Sequence, residues 1–333
     1  MSLLLVSGVN GFIGSNLAGR LLRDGHKVRG LVRASSDRSF LKGLDVDLFT
    51  GDVTDRPSLD PAMAGVEVAV HGAGFASDWG PYSKFHDVNV TGTKNMAEAA
   101  QAAKVRRFVH LSTAALHGFP GARNMDESSP MPNSPFSYCV TKRLAEEWLW
   151  GFSKSSGLEV TAIRPGNVFG PKDHTFIEKY AAALEQGKAG YVRGGRSWTC
   201  PAYVENLADA IALACFEPAA KGEAFIVTDG LEIDWRTFTE RLADEMGVKR
   251  PGMSVPFWLG YAVASLLESV YWTCRIKSAP LLTRYRICNG GRDYHFSIAK
   301  ARRLLKYEPR VGFEESIRRS VGWLRERKKE KPS

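Results

Sequence analysis

The tightest constraint on this chain lies in its first twenty-odd residues. Leu3-Leu4-Leu5-Val6 is a short unbroken apolar run, which reads as a strand buried on both faces. It leads into Gly8-Val9-Asn10-Gly11-Phe12-Ile13-Gly14, after which Leu17, Ala18, Leu21 and Leu22 follow helical spacing. Strand, glycine-rich turn and helix in this order open a βαβ unit. Glycine serves where backbone must turn tightly and approach a pyrophosphate, and the helix N-terminus beyond it favours anions. The spacing is GxxGxxG rather than GxGxxG, and a lone triplet also fits a plain structural turn. Its position between strand and helix favours a dinucleotide held by Gly8, Asn10, Gly11, Phe12, Ile13 and Gly14.

The alternation continues. Lys27 to Arg33 reads as a second strand. A chain that binds NAD usually ends this strand in an acid that holds the ribose 2′-hydroxyl. Here it ends in Val32-Arg33, followed by Ser35, Ser36 and Arg38. A guanidinium there can pair with a 2′-phosphate, so NADP(H) is favoured over NAD(H). The plainer alternative is a solvated arginine after a strand.

Asp47–Val53 gives strand three and its exit, and Val66–His71 gives strand four. Gly72-Ala73-Gly74 at its carboxyl end is small enough for a cofactor to lie against the backbone. Asp52, beside Val53, reads either as an adenine contact or as a turn aspartate. A helix over 88–103 carries Asn89, and Val105–Leu111 delivers Ser112 and Thr113 to the same rim.

Tyr138-Cys139-Val140-Thr141-Lys142 sets a tyrosine and a lysine four residues apart, on one face of a helix. An ammonium there favours the phenolate and lowers the tyrosine pKa from ~10. Such a phenol can give and take a proton near neutral pH.

Taken together, these segments resemble the extended short-chain dehydrogenase/reductases. The matching pieces are Gly8/Gly11/Gly14, Gly51-Asp52-Val53, His71–Gly74, Asn89-Val90-Thr91-Gly92-Thr93, Leu111-Ser112-Thr113, Tyr138–Lys142 and Arg164–Pro171. The resemblance implies that Thr113, or its neighbour Ser112, binds the substrate oxygen. It implies that Tyr138 exchanges the proton and that Lys142 binds the nicotinamide ribose. Pro165, Gly166, Asn167 and Val168 would lie along the nicotinamide. More loosely, the loop Phe75–Tyr82 and the C-terminal segments Ser278–Arg284 and Phe296–Ala301 resemble the 3β-hydroxysteroid dehydrogenase branch. That branch includes 4-carboxysterol dehydrogenases and reductases of long-chain β-keto acids, and homodimers are common in the family.

The expected activity is therefore an NAD(P)-dependent interconversion of 3-hydroxy and 3-keto groups on a bulky hydrophobic substrate. Two alternatives stand beside it: a nucleotide-sugar epimerase or dehydratase on the same scaffold, and a non-catalytic NADP-binding sensor. A deep apolar pocket is expected, walled by Trp79, Tyr82, Phe176 and the 255–285 segment.

The implied fold is α/β: a doubly wound parallel Rossmann-type sheet with a smaller, interleaved C-terminal substrate lobe. Residues 1–170 with 201–228 would form the dinucleotide-binding domain, and 171–200 with 229–325 the substrate lobe. Residues 326–333 read as part of a solvated, frayed tail. The net charge of +9 is dispersed, without a basic-aromatic stripe, which argues against nucleic acid. Seven histidines and five cysteines show no metal-ligand spacing. An odd cysteine count and an opening run too short for a signal segment point to the cytosol.

One stretch pulls against a purely soluble reading. Val255–Leu267 is strongly apolar but shorter than the ~20 residues a spanning helix needs. It is a helix buried in the lobe, a lid over a greasy pocket, or an interfacial helix giving peripheral membrane contact through 255–275.

Overall fold

Seven short apolar runs become one parallel sheet. The computed structural model describes residues 1–330. The strands are β1 (Leu3–Ser7), β2 (Lys27–Val32), β3 (Val46–Thr50), β4 (Val68–His71), β5 (Arg107–Leu111), β6 (Glu159–Pro165) and β7 (Ala224–Val227). Their order is β7-β6-β5-β4-β1-β2-β3, and every pairing is parallel. Chain order reverses between β1 and β4, and the carboxyl ends beside such a switch point are where ligands bind in open parallel sheets. The central strands β4 and β5 are buried along their whole length, whereas edge strand β3 is mostly open.

Helices cover both faces. On one, Leu17, Ala18 and Leu21 of α1 (Phe12–Arg23) pack with Val6, Val28 and Val70 from the sheet. On the other, Met96, Ala97 and Ala100 of α2 (Gly92–Ala102) and Leu149 of α3 (Ser137–Ser156) pack on Leu5, Ala69 and Phe108. Completely burying one such leucine or phenylalanine stabilises by about 1.5–3 kcal/mol. The helix α4 (Val204–Phe216) returns to the α1 side through Leu207 and Ile211.

The second lobe has an aromatic core. Phe169, Ile177, Tyr203, Phe238 and Leu242 meet Ile317 and Val321 there. These join α5 (Trp235–Met246) to the C-terminal helix. The helix α6 (Phe257–Thr273) and α7 (Arg284–Gly291) form a hairpin on this lobe.

Three boundaries and the burial of one helix differ from the sequence reading. The helix expected from 88 begins earlier: Tyr82–His86, one π-helical turn at Asp87–Thr91 and α2 run on without a break. Asn89 lies on the π turn and is buried. Residues 298–307, assigned to the substrate lobe, pack on the main sheet, because Ile298, Ala301, Leu305 and Tyr307 fit against Ile211 and Phe225.

The C-terminal helix α8 (Phe313–Glu330) outlasts the expected break at 325. Its basic end is held by acids of the lobe: Arg327 meets Glu178 at 3.2 Å and Lys328 pairs with Glu185. The expected frayed tail is thus helical to Glu330; residues 331–333 lie outside the described residues.

Finally, α6 is not a buried helix. Only Gly260, Ala264 and Glu268 are buried along it. No helix among the described residues is long and apolar enough to cross a membrane.

Candidate active site

The glycine loop is closed by contact. A Cβ on Gly14 would stand 2.2 Å from the Gly8 carbonyl oxygen, and one on Gly8 would stand 2.9 Å from the Ala73 nitrogen. Gly8 also has φ +70°, a conformation side chains disfavour. The first turn of α1 carries no side-chain cap and no acid, so its amides are left for an outside acceptor. Phe12 and Ile13 open that turn. A pyrophosphate fits such a cradle.

A hydrogen-bond chain fixes the rim. Ser7 Oγ lies 2.8 Å from His71 Nδ1 and accepts from the Ala73 amide at 3.2 Å. His71 Nε2 reaches Thr93 Oγ1 at 3.0 Å. Burial drives the His71 pKa down to about 3, so the ring stays neutral. Gly72 is tight as well: its Cβ would stand 3.1 Å from the Ser7 oxygen.

Asn10 ties this loop to the end of β2 by donating to the Asp37 carbonyl at 3.0 Å. Arg33 is exposed there, and among the described residues neither it nor Arg38 pairs with a carboxylate. Asp37, the nearby acid, spends its carboxylate on the Ser39 amide and hydroxyl, at 2.8 and 3.0 Å. Asp52 accepts from the Thr54 amide and hydroxyl at 2.9 and 2.8 Å, as a turn aspartate does. Val53 is buried under Gly92.

The structure separates the two hydroxyls that end β5. Successive strand residues face opposite ways. Ser112 turns inward and donates to Glu146 at 2.5 Å. Glu146 also receives Arg164 at 2.5–3.2 Å and Trp150 Nε1 at 3.2 Å, and Arg164 meets His117 Nε2 at 3.2 Å. Thr113 turns the other way, to Tyr138. Its Oγ1 accepts from the Ala115 amide at 3.1 Å, which sets its rotamer.

Tyr138 departs from expectation. Its ring keeps some accessible surface, but the surroundings are dense with protein, and burial pushes the phenol up to about 12; the Thr113 hydrogen bond opposes this. The expected lowering by Lys142 is absent because the lysine aims elsewhere: its Nζ donates to the Leu111 carbonyl at 2.5 Å. Burial brings Lys142 itself down to about 8, with Glu146 pulling upward. A Cβ on Gly74 would stand 3.7 Å from Lys142 Nζ, so the fourth strand's rim and the Tyr-Lys helix converge.

Asn89 works as a brace. Its Oδ1 accepts from the Phe75 amide at 2.7 Å and its Nδ2 donates to Thr141 Oγ1 at 3.1 Å. It locks the loop after Gly74 to the helix bearing Tyr138. Asn167 is similarly engaged, by Thr199 at 3.0 Å and Asn289 at 3.2 Å. Gly166 is obligatory, since its Cβ would stand 2.3 Å from the Cys200 oxygen. Pro165 closes β6 and Val168 follows in the short strand Asn167–Phe169.

The substrate-side expectations change most. Trp79 is buried against Tyr271 and Trp272 of α6. Tyr82 is exposed, with His86 as its ring neighbour. Phe176 packs with Tyr180, Trp235 and Phe238 in the lobe's core. Near Tyr138 an apolar wall is formed by Phe119, Phe136 and Tyr285, the last in the 255–285 segment, with ring centroids 5.1–6.0 Å apart, edge to face. Tyr285 is close enough for a Tyr138 phenolate to help raise its pKa. No periodicity links residues so distant in sequence; only Phe136, two before Tyr138, carried a local signal. Two open clefts, of about 410 and 490 Å³, are lined by other residues. Among the described residues no cluster of His, Cys, Asp and Glu is placed to hold a metal.

Known proteins share this sequence pattern and fold. A family model described as the NAD dependent epimerase/dehydratase family matches residues 4–227. A 4-hydroxy-2-methyl-3-oxo-4-farnesyl-3,4-dihydroquinoline-1-oxide ketoreductase of Stigmatella aurantiaca is 32% identical, over 94% of this chain and 93% of its own. A 2-alkyl-3-oxoalkanoate reductase of Stenotrophomonas maltophilia is 29% identical, over 95% and 97% respectively. The crystal structure of gox2253 superposes with a TM-score of 0.83 at 28% identity, covering 98% of this chain and 99% of that one.

Three outcomes are expected from the Thr113–Tyr138–Lys142 geometry. Tyr138→Phe should lower turnover by at least ~10²-fold while cofactor binding, measured by fluorescence titration, changes little. Thr113→Ala should lower turnover more than Ser112→Ala, since Glu146 keeps Arg164 and Trp150 when Ser112 is lost. Cofactor affinity should also weaken as pH rises through about 8, where the Lys142 ammonium of the free protein loses its proton. Titrations across that range should show the step in the wild type and not in Lys142→Met.

Proposed function

The chain belongs to the NAD dependent epimerase/dehydratase family, and on that premise we propose that it is an NADP(H)-dependent oxidoreductase of 3-keto and 3-hydroxy groups on bulky hydrophobic substrates. The observation that carries this reading is a polar pair in apolar surroundings. Thr113 and Tyr138 present two hydroxyls together, beside the wall of Phe119, Phe136 and Tyr285.

Bound nicotinamide supplies or accepts the hydride. The chain's own residues do the rest. Thr113 and Tyr138 hold the substrate oxygen between them. Tyr138, protonated through the neutral range, has the proton that a carbonyl oxygen needs on reduction. The two relatives described above are named as a ketoreductase and a reductase, which supports the reductive direction. Lys142 brings positive charge beneath the rim formed by Gly74. The ring wall excludes water and gives an alkyl or polycyclic body its contact area.

The preference for NADP(H) rests on Arg33. It ends β2 exposed and without a carboxylate partner, while the neighbouring acid Asp37 is occupied. Arg33→Ala should cost NADPH about 1.5–3 kcal/mol of binding and spare NADH. Calorimetric titration of both cofactors decides this; equal wild-type affinities, or equal losses in the variant, remove the assignment.

Substrate class is tested by chain length. Each buried methylene contributes ~0.8 kcal/mol, so kcat/KM for 3-keto esters should rise about three- to fourfold per added CH₂ until the chain outgrows the site. A 3-keto steroid belongs in the same assay. A flat response together with turnover of UDP- or GDP-sugars would replace this reading with the epimerase one.

A further inference from the structure

The helix α6 is built inside out. Across Phe257–Thr273 the only charged residue is Glu268, and it is buried, paired with Arg284 at 2.6 Å. The outward face is apolar. Trp258 is 71% exposed and Leu266 67%, with Leu259, Val263 and Val270 along the same stripe. These positions recur at three and four residues, so they form one continuous strip. Ala262, Ser269 and Thr273 complete it without a charge. The strip continues past the helix into Ile276 and Leu281, the latter 77% exposed.

Such a face on a water-soluble protein marks an interaction surface. Its surroundings indicate which kind. Trp258 and Trp272 stand at the two ends of the helix, and exposed Arg275 and Lys277 follow directly. Among the described residues neither Arg275 nor Lys277 has an acidic partner, unlike Arg284 and Arg286 close by. A charge-free strip with tryptophans at both ends and free cations beside it suits the boundary of an anionic bilayer. A second copy of the chain would bring those same cations against each other, and its net charge of +9 would add to the repulsion.

We propose that α6 and the loop to Leu281 form a membrane-docking surface that lies flat on an anionic lipid leaflet. Seventeen residues span about 25 Å, so the strip would rest in the headgroup boundary rather than cross it. The same surface adjoins the site. Trp272 packs on Trp79 at 4.8 Å between ring centroids, Thr283 donates to Asp78 at 2.7 Å, and Arg286 holds Asp78 at 2.6 Å. The loop that follows β4 is therefore clamped to the docking hairpin, and a lipid-dissolved substrate would meet the protein beside its catalytic rim. Docking itself is independent of the proposed chemistry, so its test needs no substrate.

The full-length protein is sedimented with vesicles of phosphatidylcholine alone and of phosphatidylcholine mixed with phosphatidylglycerol. Binding should rise with phosphatidylglycerol and fall with salt. Trp258→Ser with Leu266→Ser should lower partitioning at least ~10-fold. Arg275→Glu with Lys277→Glu should remove the preference for anionic vesicles, at about fivefold per lost charge. Cofactor affinity and the thermal midpoint of each variant, kept near wild type, establish that the fold is intact. Absence of binding to either vesicle overturns the proposal. So does a concentration-dependent dimer, seen by analytical ultracentrifugation, that the Trp258/Leu266 variant abolishes while vesicle binding persists; the strip would then be a self-interface.

Discussion

A buried ion pair holds the candidate site together. Glu146 and Arg164 are both nearly inaccessible, and they meet in a two-pronged contact between α3 and β6. Removing one partner of such a pair costs about 3–5 kcal/mol, because the other charge is left buried and uncompensated. Here the cost would be felt across several elements at once. Ser112 from β5, Trp150 from α3 and His117 from the turn after Thr113 all bond to the same two groups. The pair sets the height of α3 against the sheet, and with it the positions of Lys142 and Tyr138, one and two turns earlier.

Desolvation then sets the proton inventory. Lys142 is pressed against the sheet end, bonded to the Leu111 carbonyl. Behind it His71 and His110 are buried, and burial together with the lysine's charge keeps both rings neutral. His110 has no hydrogen-bond partner on either nitrogen among the described residues. The Lys142 ammonium thus stands one turn from Glu146, whose carboxylate is also paired with the Arg164 guanidinium. Tyr138 stands in the same dense surroundings and keeps its proton. The phenol and the lysine are therefore offered to a ligand in the states that neutral pH and burial dictate, and a bound cofactor would change both.

The second lobe follows a different logic. Its stability comes from an aromatic core of Phe169, Phe176, Trp235 and Phe238 rather than from a sheet. With that core satisfied by α5 and α8, α6 packs elsewhere, through Phe257 and Tyr261 against a smaller cluster and through a few small residues. Gly260 and Ala264 let it approach Ile287 and its surroundings closely, and Glu268 anchors it to Arg284. Trp258, Leu259, Val263, Leu266 and Val270 are left facing out.

Much of this was legible in the chain itself, for reasons of locality. The apolar run Leu3–Val6, the glycine loop and the helical spacing of Leu17 to Leu22 are local signals of a βαβ opening, and the sheet that formed is parallel throughout. Tyr138 and Lys142 share a helix face by arithmetic alone. What the sequence could not settle depended on which way neighbouring groups turn and on who meets them. Ser112 and Thr113 are adjacent, yet the strand's alternation sends one to Glu146 and the other to Tyr138. Lys142 has the spacing to act on Tyr138, but the fold gives it the Leu111 carbonyl instead. Phe119, Phe136 and Tyr285 form one wall only because loops far apart in the chain fold onto each other. The apolar stretch at 255–267 has the composition of a core helix; only tertiary packing, which fills the lobe from other elements, decides that its large side chains remain at the surface.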